Sequence, residues 1–336
     1  MLCTRADEIS EIAFGFMASK ALFAALRFDV FTHLAAGPMT AADLARANGL
    51  HPLRAETLLT ALAGQGLVSA QDGRFANSPG AEAFLVKGAK YDFSDYLRRQ
   101  VGEQMYGLLD QIEDALGDSL PESATASYAE WFSDPEQARL YSESQHAGSL
   151  GPARQLARAI DLTGAEKLLD VGGGTGAFAI TLCEAFPGLQ ATIVDFPNVA
   201  AVGRDYIDRA GLQDRIRYVE GDAGQIDWPD GQDVVLMSYL LSGVPAEAHE
   251  ALLERAFAHL RPGGRLLMHD FVVKADRSGP RLAALWQLQH TAFTPRARSV
   301  DAGWLEAALA RAGFGGIALG PMIPELTMLA EARRPG

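Results

Sequence analysis

The chain has 336 residues, of which 48% are hydrophobic and 21% are charged, and its formal net charge is −13. A chain of this length predicts two or three domains with a large core. Its acidity disfavours nucleic acid and membrane surfaces as partners, and the spacing of Cys3 and Cys183 predicts neither a disulfide nor a metal site. The first residues lack a signal-peptide pattern, and no uninterrupted apolar run reaches about 18 residues. We therefore expect a cytoplasmic protein without a metal.

The first third of the chain has a helical pattern. Residues 9–35 carry apolar side chains on more than one helical face, which predicts burial, for example against a second subunit. A helix is predicted from the N-cap Thr40 to Asn48-Gly49, another over residues 51–66, and then a hairpin with Asp72-Gly73 at its turn. Together they predict a winged-helix unit. Because this unit has few basic residues, a dimerisation platform is favoured over DNA binding.

The pattern stays helical to about residue 160, with loops predicted at 117–127 and 133–137. From residue 166, short apolar strands alternate with helices, which predicts a parallel sheet covered on both faces. The predicted fold class is α/β, with a doubly wound Rossmann-like domain at 161–336. A helical winged-helix domain at 1–100 and a helical connector at 101–160 precede it.

A glycine-rich stretch, "LLDVGGGTGAF" at 168–178, follows the first of these strands. Gly172, Gly174 and Gly176 permit a tight turn and a close approach of a ligand to the backbone. Asp170 comes two residues before the first glycine, and its carboxylate would repel a pyrophosphate. This acid suits a cationic ligand that carries an ammonium and a sulfonium.

Two further acids follow the next strands. Asp195 comes about 19 residues after the last loop glycine, where a carboxylate can accept both ribose hydroxyls of an adenosine. Asp222 follows the third strand and is a candidate to accept from the adenine amino group. Ligands bind at the carboxyl ends of such strands, so the three acids predict one nucleoside-binding site.

These residues carry a resemblance. Asp170 to Gly176, Asp195 and "GDA" at 221–223 resemble class I S-adenosylmethionine-dependent methyltransferases. The helical first half, "LRPGGRLLMHDFVV" and "ALARAGF" resemble the caffeic-acid and hydroxyindole O-methyltransferase family over nearly the whole chain. The resemblance implies S-adenosylmethionine as cofactor, S-adenosylhomocysteine as product, a small-molecule acceptor and a homodimer. The implied cofactor-binding residues are Asp170, Gly172, Gly174, Gly176, Asp195, Phe196, Asp222, Ala223, Ser238 and Ser149.

The stretch "SYLLSGVP" at 238–245 departs from this family. Its O-methylating members carry a His-Asp pair there, and this chain places Ser242 and Gly243 at those positions. One supporting carboxylate of the family corresponds to Asp270, whereas the second has no counterpart in residues 291–300. A hydroxyl acceptor needs a base to take its proton, but a thioether sulfur has no proton to lose. The missing base therefore makes the identity of the accepting atom an open question.

Other residues are candidates for the acceptor site. His269 precedes Asp270 on its strand and is expected to point away from the site. Arg296, with Arg298 nearby, is a candidate to bind an acceptor carboxylate. The candidate catalytic residues are His146, His290 and Tyr141. The candidate substrate-binding residues are Tyr106, Tyr141, Gln145, His146, Tyr239, Trp286, Gln289, His290 and Arg296.

The leading prediction is base-free S-methylation of a thioether acid such as 4-methylthio-2-hydroxybutyrate, on a route to dimethylsulfoniopropionate, as in the DsyB-type enzymes. Proximity and desolvation would promote such a displacement. One alternative is O-methylation of a phenol or pigment hydroxyl with His146 or His290 as base. Aromatic C-methylation and a non-catalytic regulator that binds S-adenosylmethionine also remain open.

Overall fold

The computed structural model describes residues 2–117, 119, 128–294 and 296–336. Almost all of the loop predicted at 117–127 lies outside the described residues. The chain divides into two compact units, one ending at Tyr106 and the other beginning at Gly107. The predicted domain limits at residues 100 and 160 stay predictions.

The first unit is helical with a small antiparallel sheet of order β1-β3-β2. Its elements are α1 (Ala6–Arg27), α2 (Val30–Ala35), β1 (Met39–Thr40), α3 (Ala41–Asn48), α4 (Pro52–Gly64), β2 (Val68–Gln71), β3 (Arg74–Asn77), α5 (Pro79–Phe84) and a π-helical segment, Tyr96–Met105. The Thr40 side chain accepts from the amide of Asp43, and Gly49 ends α3 at φ 65°. Asp72 and Gly73 turn the hairpin with positive φ angles. The predicted helices and hairpin are confirmed.

The helix predicted over residues 9–35 is divided, since Asp29 adopts φ 52° between α1 and α2. α1 is also long and apolar enough to cross a membrane by length and composition alone. Glu11 and Lys20 interrupt the stretch. Apolar side chains of α1 are exposed in the single chain, Ile12 by 71% and Phe14 by 60%. Their expected burial therefore requires a partner and stays a prediction.

The second unit is built on one large sheet flanked by helices. Its elements are α6 (Tyr106–Leu108, which begins at the last residue of the first unit), α7 (Ile112–Leu116), α8 (Tyr128–Trp131), α9 (Pro135–Ala159), β4 (Lys167–Val171), α10 (Ala177–Ala185), β5 (Gln190–Asp195), α11 (Pro197–Arg209), β6 (Ile216–Glu220), β7 (Gln232–Ser238), α12 (His249–His259), β8 (Leu260–Asp270), α13 (Arg281–Phe293), α14 (Ala302–Arg311), β9 (Gly315–Ile323) and β10 (Thr327–Arg333). The short turns Leu109–Gln111, Leu241–Gly243 and Ala246–Ala248 are 3₁₀-helical.

The sheet has the strand order β6-β5-β4-β7-β8-β10-β9. The first five strands are parallel, whereas β10 pairs antiparallel with both β8 and β9. The predicted parallel sheet is confirmed for these five strands, and the sheet is mixed at this edge. β9 and β10 are joined by Pro324–Leu326, too short a link for the crossover that parallel strands need. No strand is predicted from the sequence for residues 327–333, because Ala and Glu are not typical of strands, yet β10 forms there.

Two hydrophobic clusters cover the two faces of the sheet. Successive residues of β4 point to opposite faces, so that Leu168 belongs to one cluster and Leu169 to the other. The predicted sheet with both faces covered is therefore confirmed. Chain order reverses between β4 and β7, and such a switch point is where α/β proteins bind ligands.

Candidate active site

The loop after β4 has a backbone that only glycine accommodates well. Gly172, Gly174 and Gly176 adopt φ angles of 68°, 59° and 80°. Gly173 has a different constraint, because an added Cβ would lie 2.6 Å from Cγ of Asp170 and 2.8 Å from Cγ2 of Ile193. The loop thus has no room for a side chain on its inner side, and its backbone can approach a ligand closely.

Asp170 lies beneath this loop. Its side chain is fully buried, and neither carboxylate oxygen has a hydrogen-bond partner within the described part of the chain. Burial, and then the nearby carboxylate of Asp195, raise the pKa of Asp170 to about 7, against a smaller opposing effect of the Ala179 amide. A buried carboxylate without a partner is costly in the free protein, and a cationic ligand at the loop would offset that cost.

Asp195 ends β5 and holds the glycine loop. Its Oδ2 accepts a 2.7 Å hydrogen bond from the Gly174 amide, and its Oδ1 accepts a 2.8 Å bond from the Phe196 amide. Burial raises its pKa to about 6, although both amides oppose this shift. Each oxygen keeps a free lone pair, so Asp195 is able to accept the ribose hydroxyls as well.

Asp222 and Ala223 form a tight turn after β6. Oδ1 of Asp222 accepts from the Gly224 amide at 2.8 Å, and the Ala223 carbonyl accepts from the Trp228 indole at 3.0 Å. The strand order places this turn at the same edge of the sheet as Asp170 and Asp195. Their contacts with adenine stay predictions.

Helix α9 packs against α10 and α11 and presents three of the predicted residues on one face, since Tyr141, Gln145 and Ser149 are four residues apart. His146 lies on the glycine loop instead. Its Nδ1 is 2.7 Å from Oγ1 of Thr175, and its ring stacks on Tyr206 with a centroid distance of 3.7 Å. Burial, followed by the charge of Arg209, lowers the pKa of His146 to about 4. These contacts favour support of the loop, and catalysis by His146 stays a prediction.

The "SYLLSGVP" stretch crosses over the glycine loop. A Cβ added at Gly172 would lie 3.0 Å from Cδ1 of Leu240. Tyr239 adopts φ 58°, an unusual angle for a tyrosine and one that clusters at functional sites. The hydroxyl of Ser238 lies 2.9 Å from Nδ1 of His269, a contact within the fold. Ser238 also ends β7, which pairs with the strand that leads into the glycine loop.

His269 is a structural histidine. Its second nitrogen lies 2.8 Å from Oγ1 of Thr327, and burial lowers its pKa to about 3. Its ring lies 4.5 Å from that of Tyr239, which also contacts Phe271 at 4.9 Å. The expectation that His269 points away from the acceptor agrees with these contacts.

Ser242 lies at the position where the resemblance implies a base. Its amide donates a 3.0 Å hydrogen bond to Oδ2 of Asp270, while the Phe271 amide donates to Oδ1 at 2.8 Å. Asp270 is fully buried, and its pKa is raised by burial, against the opposing effect of the Ser242 hydroxyl and of backbone amides. The carboxylate of Asp270 thus binds the backbone of the turn and has no bond to a histidine among these contacts.

Helix α13 packs against the turn Leu241–Gly243. Trp286 stacks on Phe271 at 4.5 Å, and Gln287 donates to the carbonyl oxygens of Phe271 and Val300. Gln287 was not predicted, because a buried amide that bonds to two segments has no sequence motif. Gln289 is 6% exposed on the same helix.

His290 is the unusual residue of α13. It is 8% exposed, and neither ring nitrogen has a hydrogen-bond partner within the described residues. Burial lowers its pKa to about 4, so the imidazole is neutral at physiological pH. A buried polar group without a partner is a sign of a ligand site.

Two of the predicted substrate-binding residues, Arg296 and Tyr106, contact side chains that have not been described above. The Arg296 side chain is 74% exposed and pairs with Glu247, so its binding of an acceptor carboxylate stays a prediction. Tyr106 belongs to the first unit, where it contacts Phe23 edge-on at 5.9 Å and carries Lys20 over its ring. Its role in binding stays a prediction.

A cluster of aromatic side chains, most of which were not predicted from the sequence, lies beside the turn Leu241–Gly243. We call it the aromatic cluster, and it consists of Tyr128, Trp131, Phe132, Tyr141 and Phe196. Only Tyr141 and Phe196 were singled out from the sequence. The density of aromatic residues in "YAEWF" at 128–132 was the available signal.

The groups present fit S-adenosylmethionine. The buried carboxylate of Asp170 suits its positive charges, the glycine-rich loop suits close approach, and Asp195 has lone pairs left for a ribose. These residues lie at the carboxyl ends of adjacent parallel strands, β4 and β5.

Comparison with known proteins agrees with this chemistry. An O-methyltransferase domain model matches residues 108–315, and an O-methyltransferase dimerisation domain model matches residues 10–87. The chain is 32% identical over 280 residues to 3-hydroxy-5-methyl-1-naphthoate 3-O-methyltransferase of Streptomyces sahachiroi, covering 83% of this chain and 81% of that one. It is 30% identical over 273 residues to the N,N-dimethyltransferase OxyT of Streptomyces rimosus, covering 80% and 79%.

The fold is shared with solved methyltransferases. The structure of human N-acetylserotonin methyltransferase in complex with S-adenosylmethionine superimposes with a TM-score of 0.86 and 22% identity, over 100% of both chains. The family models, the relatives and the site together show an enzyme that uses S-adenosylmethionine. The chain belongs to the O-methyltransferase family and carries the dimerisation domain of that family.

Proposed function

We propose that this methyltransferase O-methylates an acidic hydroxyl of a small aromatic molecule, with His290 as the general base. The observation that carries the proposal is the buried, neutral imidazole of His290, whose two nitrogens have no partner within the described residues. An imidazole in this condition has a lone pair available for an acceptor hydroxyl.

The position of His290 supports this role. Its helix packs against the turn Leu241–Gly243, where Ser242 replaces the base expected in this family. The base would thus come from α13 instead of the turn after β7. Trp286, one helical turn earlier, stacks on Phe271 and supplies an aromatic surface near the same turn.

The low pKa of His290 narrows the acceptor class. A base with a pKa of about 4 removes a proton efficiently only from an acid whose own pKa is modest. A phenol whose ring bears a conjugated carbonyl group meets this requirement better than an unsubstituted phenol does. The naphthoate in the name of one relative is likewise a hydroxylated aromatic molecule.

Each group then has a role in the reaction. When bound, S-adenosylmethionine supplies a methyl group on a positively charged sulfur and leaves as S-adenosylhomocysteine. Asp170, the glycine loop and Asp195 hold this cofactor, and Tyr141 and Gln145 face the acceptor. His290 takes the hydroxyl proton as the new oxygen–carbon bond forms, and later releases it to solvent. The surrounding rings exclude water, which strengthens the nucleophile.

Base-free methylation is the second candidate, because Ser242 and Gly243 replace the family pair. A relative named as an N,N-dimethyltransferase agrees with acceptors other than oxygen. S-methylation of a thioether acid has no support from the comparisons, and Arg296, the predicted partner of its carboxylate, is exposed and pairs with Glu247.

Methyl transfer to 3-hydroxy-2-naphthoate, to an aromatic amine and to 4-methylthio-2-hydroxybutyrate, followed by S-adenosylhomocysteine formation, separates these candidates. O-methylation of the naphthoate, lost in His290→Gln, supports the proposal. Turnover confined to the amine or the thioether would contradict it.

We further propose a cytoplasmic homodimer. The dimerisation-domain match covers most of α1, whose exposed apolar side chains a second copy would bury.

A further inference from the structure

Gly243 lies in the turn after β7, and the ring of Tyr128 lies over it. A Cβ built at Gly243 would be 3.3 Å from Cε2 of Tyr128 and 3.7 Å from its hydroxyl oxygen. Gly243 does not have a positive φ angle, so its backbone conformation does not demand a glycine. The nearby tyrosine ring is therefore the feature that favours glycine at this position.

Tyr128 is held in place by the aromatic cluster. Its ring centroid is 5.4 Å from that of Phe132, 6.1 Å from that of Tyr141 and 6.3 Å from that of Trp131. The side chains of Tyr128 and Tyr141 also hydrogen-bond to each other. A ring fixed by this many contacts presents its hydroxyl in a defined direction.

The hydroxyl of Tyr128 is a donor rather than a base. Its pKa is raised well above the ordinary value, first by burial, then by the phenol of Tyr141 and by the carboxyl of Asp270. The phenol stays protonated at physiological pH, and its single O–H, which bonds with Tyr141 in the free protein, is able to turn to an acceptor oxygen instead. Because Asp270 also holds Ser242, the Tyr128 hydroxyl lies near the place of the missing family pair.

We infer that Tyr128 is a specificity-determining and positioning residue of the acceptor site. Its ring limits the size of the acceptor that fits over Gly243, and its hydroxyl donates a hydrogen bond to an acceptor oxygen. The inference rests on the proposed function, since it takes the acceptor to be an aromatic hydroxy acid or hydroxy ketone. Such a molecule has a carbonyl or carboxyl oxygen that can accept from Tyr128 while the neighbouring hydroxyl reacts.

Two probes of different size test the steric part. We would measure kcat/KM, and also dissociation constants in the presence of S-adenosylhomocysteine, for 3-hydroxybenzoate and 3-hydroxy-2-naphthoate. Tyr128→Ala should shift the preference toward the larger probe by about ten-fold, the gain that one well-filled apolar contact provides. An unchanged preference would overturn the steric role.

The pairing of Tyr128 with Gly243 is tested by a double-mutant cycle. Gly243→Ala should weaken binding of both probes by about ten-fold in the native background, because the methyl group displaces the ring. In the Tyr128→Ala background, the same change should have an effect of less than about two-fold. Equal losses in both backgrounds would show that the two residues act independently and would overturn the pairing.

The hydrogen bond is tested by Tyr128→Phe, which keeps the ring. We expect kcat/KM for both probes to fall about ten-fold, the worth of one hydrogen bond, with the preference between them unchanged. Tyr91→Phe, a change of the same chemistry at a 40% exposed tyrosine, is the control and should have no effect. An unaltered kcat/KM in Tyr128→Phe would overturn the donor role.

The binding measurements separate this inference from the proposed function. If the native enzyme binds both probes but does not methylate them, the proposed reaction fails, while the variants still test Tyr128. If neither probe binds, the inference about Tyr128 and its acceptor class is overturned. S-adenosylmethionine affinity, measured for every variant, confirms that each one is folded.

Discussion

The backbone amide of Ser242 and the carboxylate of Asp270 are joined by a hydrogen bond of 3.0 Å in a fully buried setting. The buried carboxylate thus stabilises the turn Leu241–Gly243, which lies over the cofactor loop. Its oxygens accept from the amides of Ser242 and Phe271, so its observed contacts are with the backbone of the turn and of the next strand end.

Asp270→Asn should therefore destabilise the protein. An asparagine has one acceptor oxygen for the amides of Ser242 and Phe271, so one buried donor is left without a partner, at a cost of about 1–3 kcal/mol. We expect thermal unfolding to show a Tm lower by about 2–4 °C for each kcal/mol. Asp276→Asn changes an exposed carboxylate in the same way, and an equal loss there would contradict the account.

Asp170 should make cofactor affinity depend on pH. Its carboxyl must be ionised to attract a cation, and its pKa in the free protein is about 7. Between pH 8 and pH 6, we expect the affinity for S-adenosylmethionine to fall about ten-fold by calorimetry. Asp170→Asn should bind more weakly and without this dependence. The same pH dependence in the variant would assign it to another group.

Asp170 should also make the stability of the cofactor-free protein depend on pH. A rise in pH favours cofactor binding, but it should lower this stability. A folded-state pKa above the usual 3.8 means that the folded protein holds this proton more tightly than the unfolded chain. Stability from Asp170 is thus fully present below about pH 4 and is lost as pH rises through about 7. At pH 8, Asp170→Asn should raise the Tm of the cofactor-free protein. A lower Tm would show that the ionised carboxylate has a stabilising partner.

Much of this site was predictable from residue spacing. Asp170, the loop glycines and Asp195 lie at the carboxyl ends of β4 and β5, where a strand, a turn and a helix in succession predict them, while their binding of the cofactor stays a prediction. Tyr128 was not predicted, since it precedes the sheet by many residues and approaches Gly243 only through tertiary packing. The pairing of Arg296 with Glu247 was equally invisible, because ion pairs between distant segments leave no local pattern.

Gly173 should tolerate no side chain. A Cβ there would lie 2.6 Å from Cγ of Asp170 and would force the loop or strand β4 to shift. Gly173→Ala should abolish measurable cofactor binding and lower the free energy of unfolding by about 1–3 kcal/mol in denaturant titration. Gly188→Ala, where a Cβ meets nothing within 4 Å, is the matched control. Normal cofactor affinity in Gly173→Ala would refute the tight loop.

The exposed face of α1 should control assembly. Ile12 is 71% exposed, and a charge there would oppose burial against a second chain. Ile12→Glu should convert the dimer to a monomer in sedimentation experiments at micromolar concentration. Leu53→Glu, at a 67% exposed leucine of α4, should leave the dimer intact. A native protein that is already monomeric would contradict the proposal.

Single-turnover methylation of 3-hydroxy-2-naphthoate tests the role of His290 as general base most directly. His290→Gln should slow methyl transfer by about 10²–10⁴-fold with unchanged affinity for S-adenosylmethionine, because a positioned base contributes that much. His51→Asn, at the exposed N-cap of α4, is the control and should react at the native rate. We predict an O-methylated product whose formation requires His290. Native-rate methylation of the same hydroxyl by His290→Gln would contradict the account.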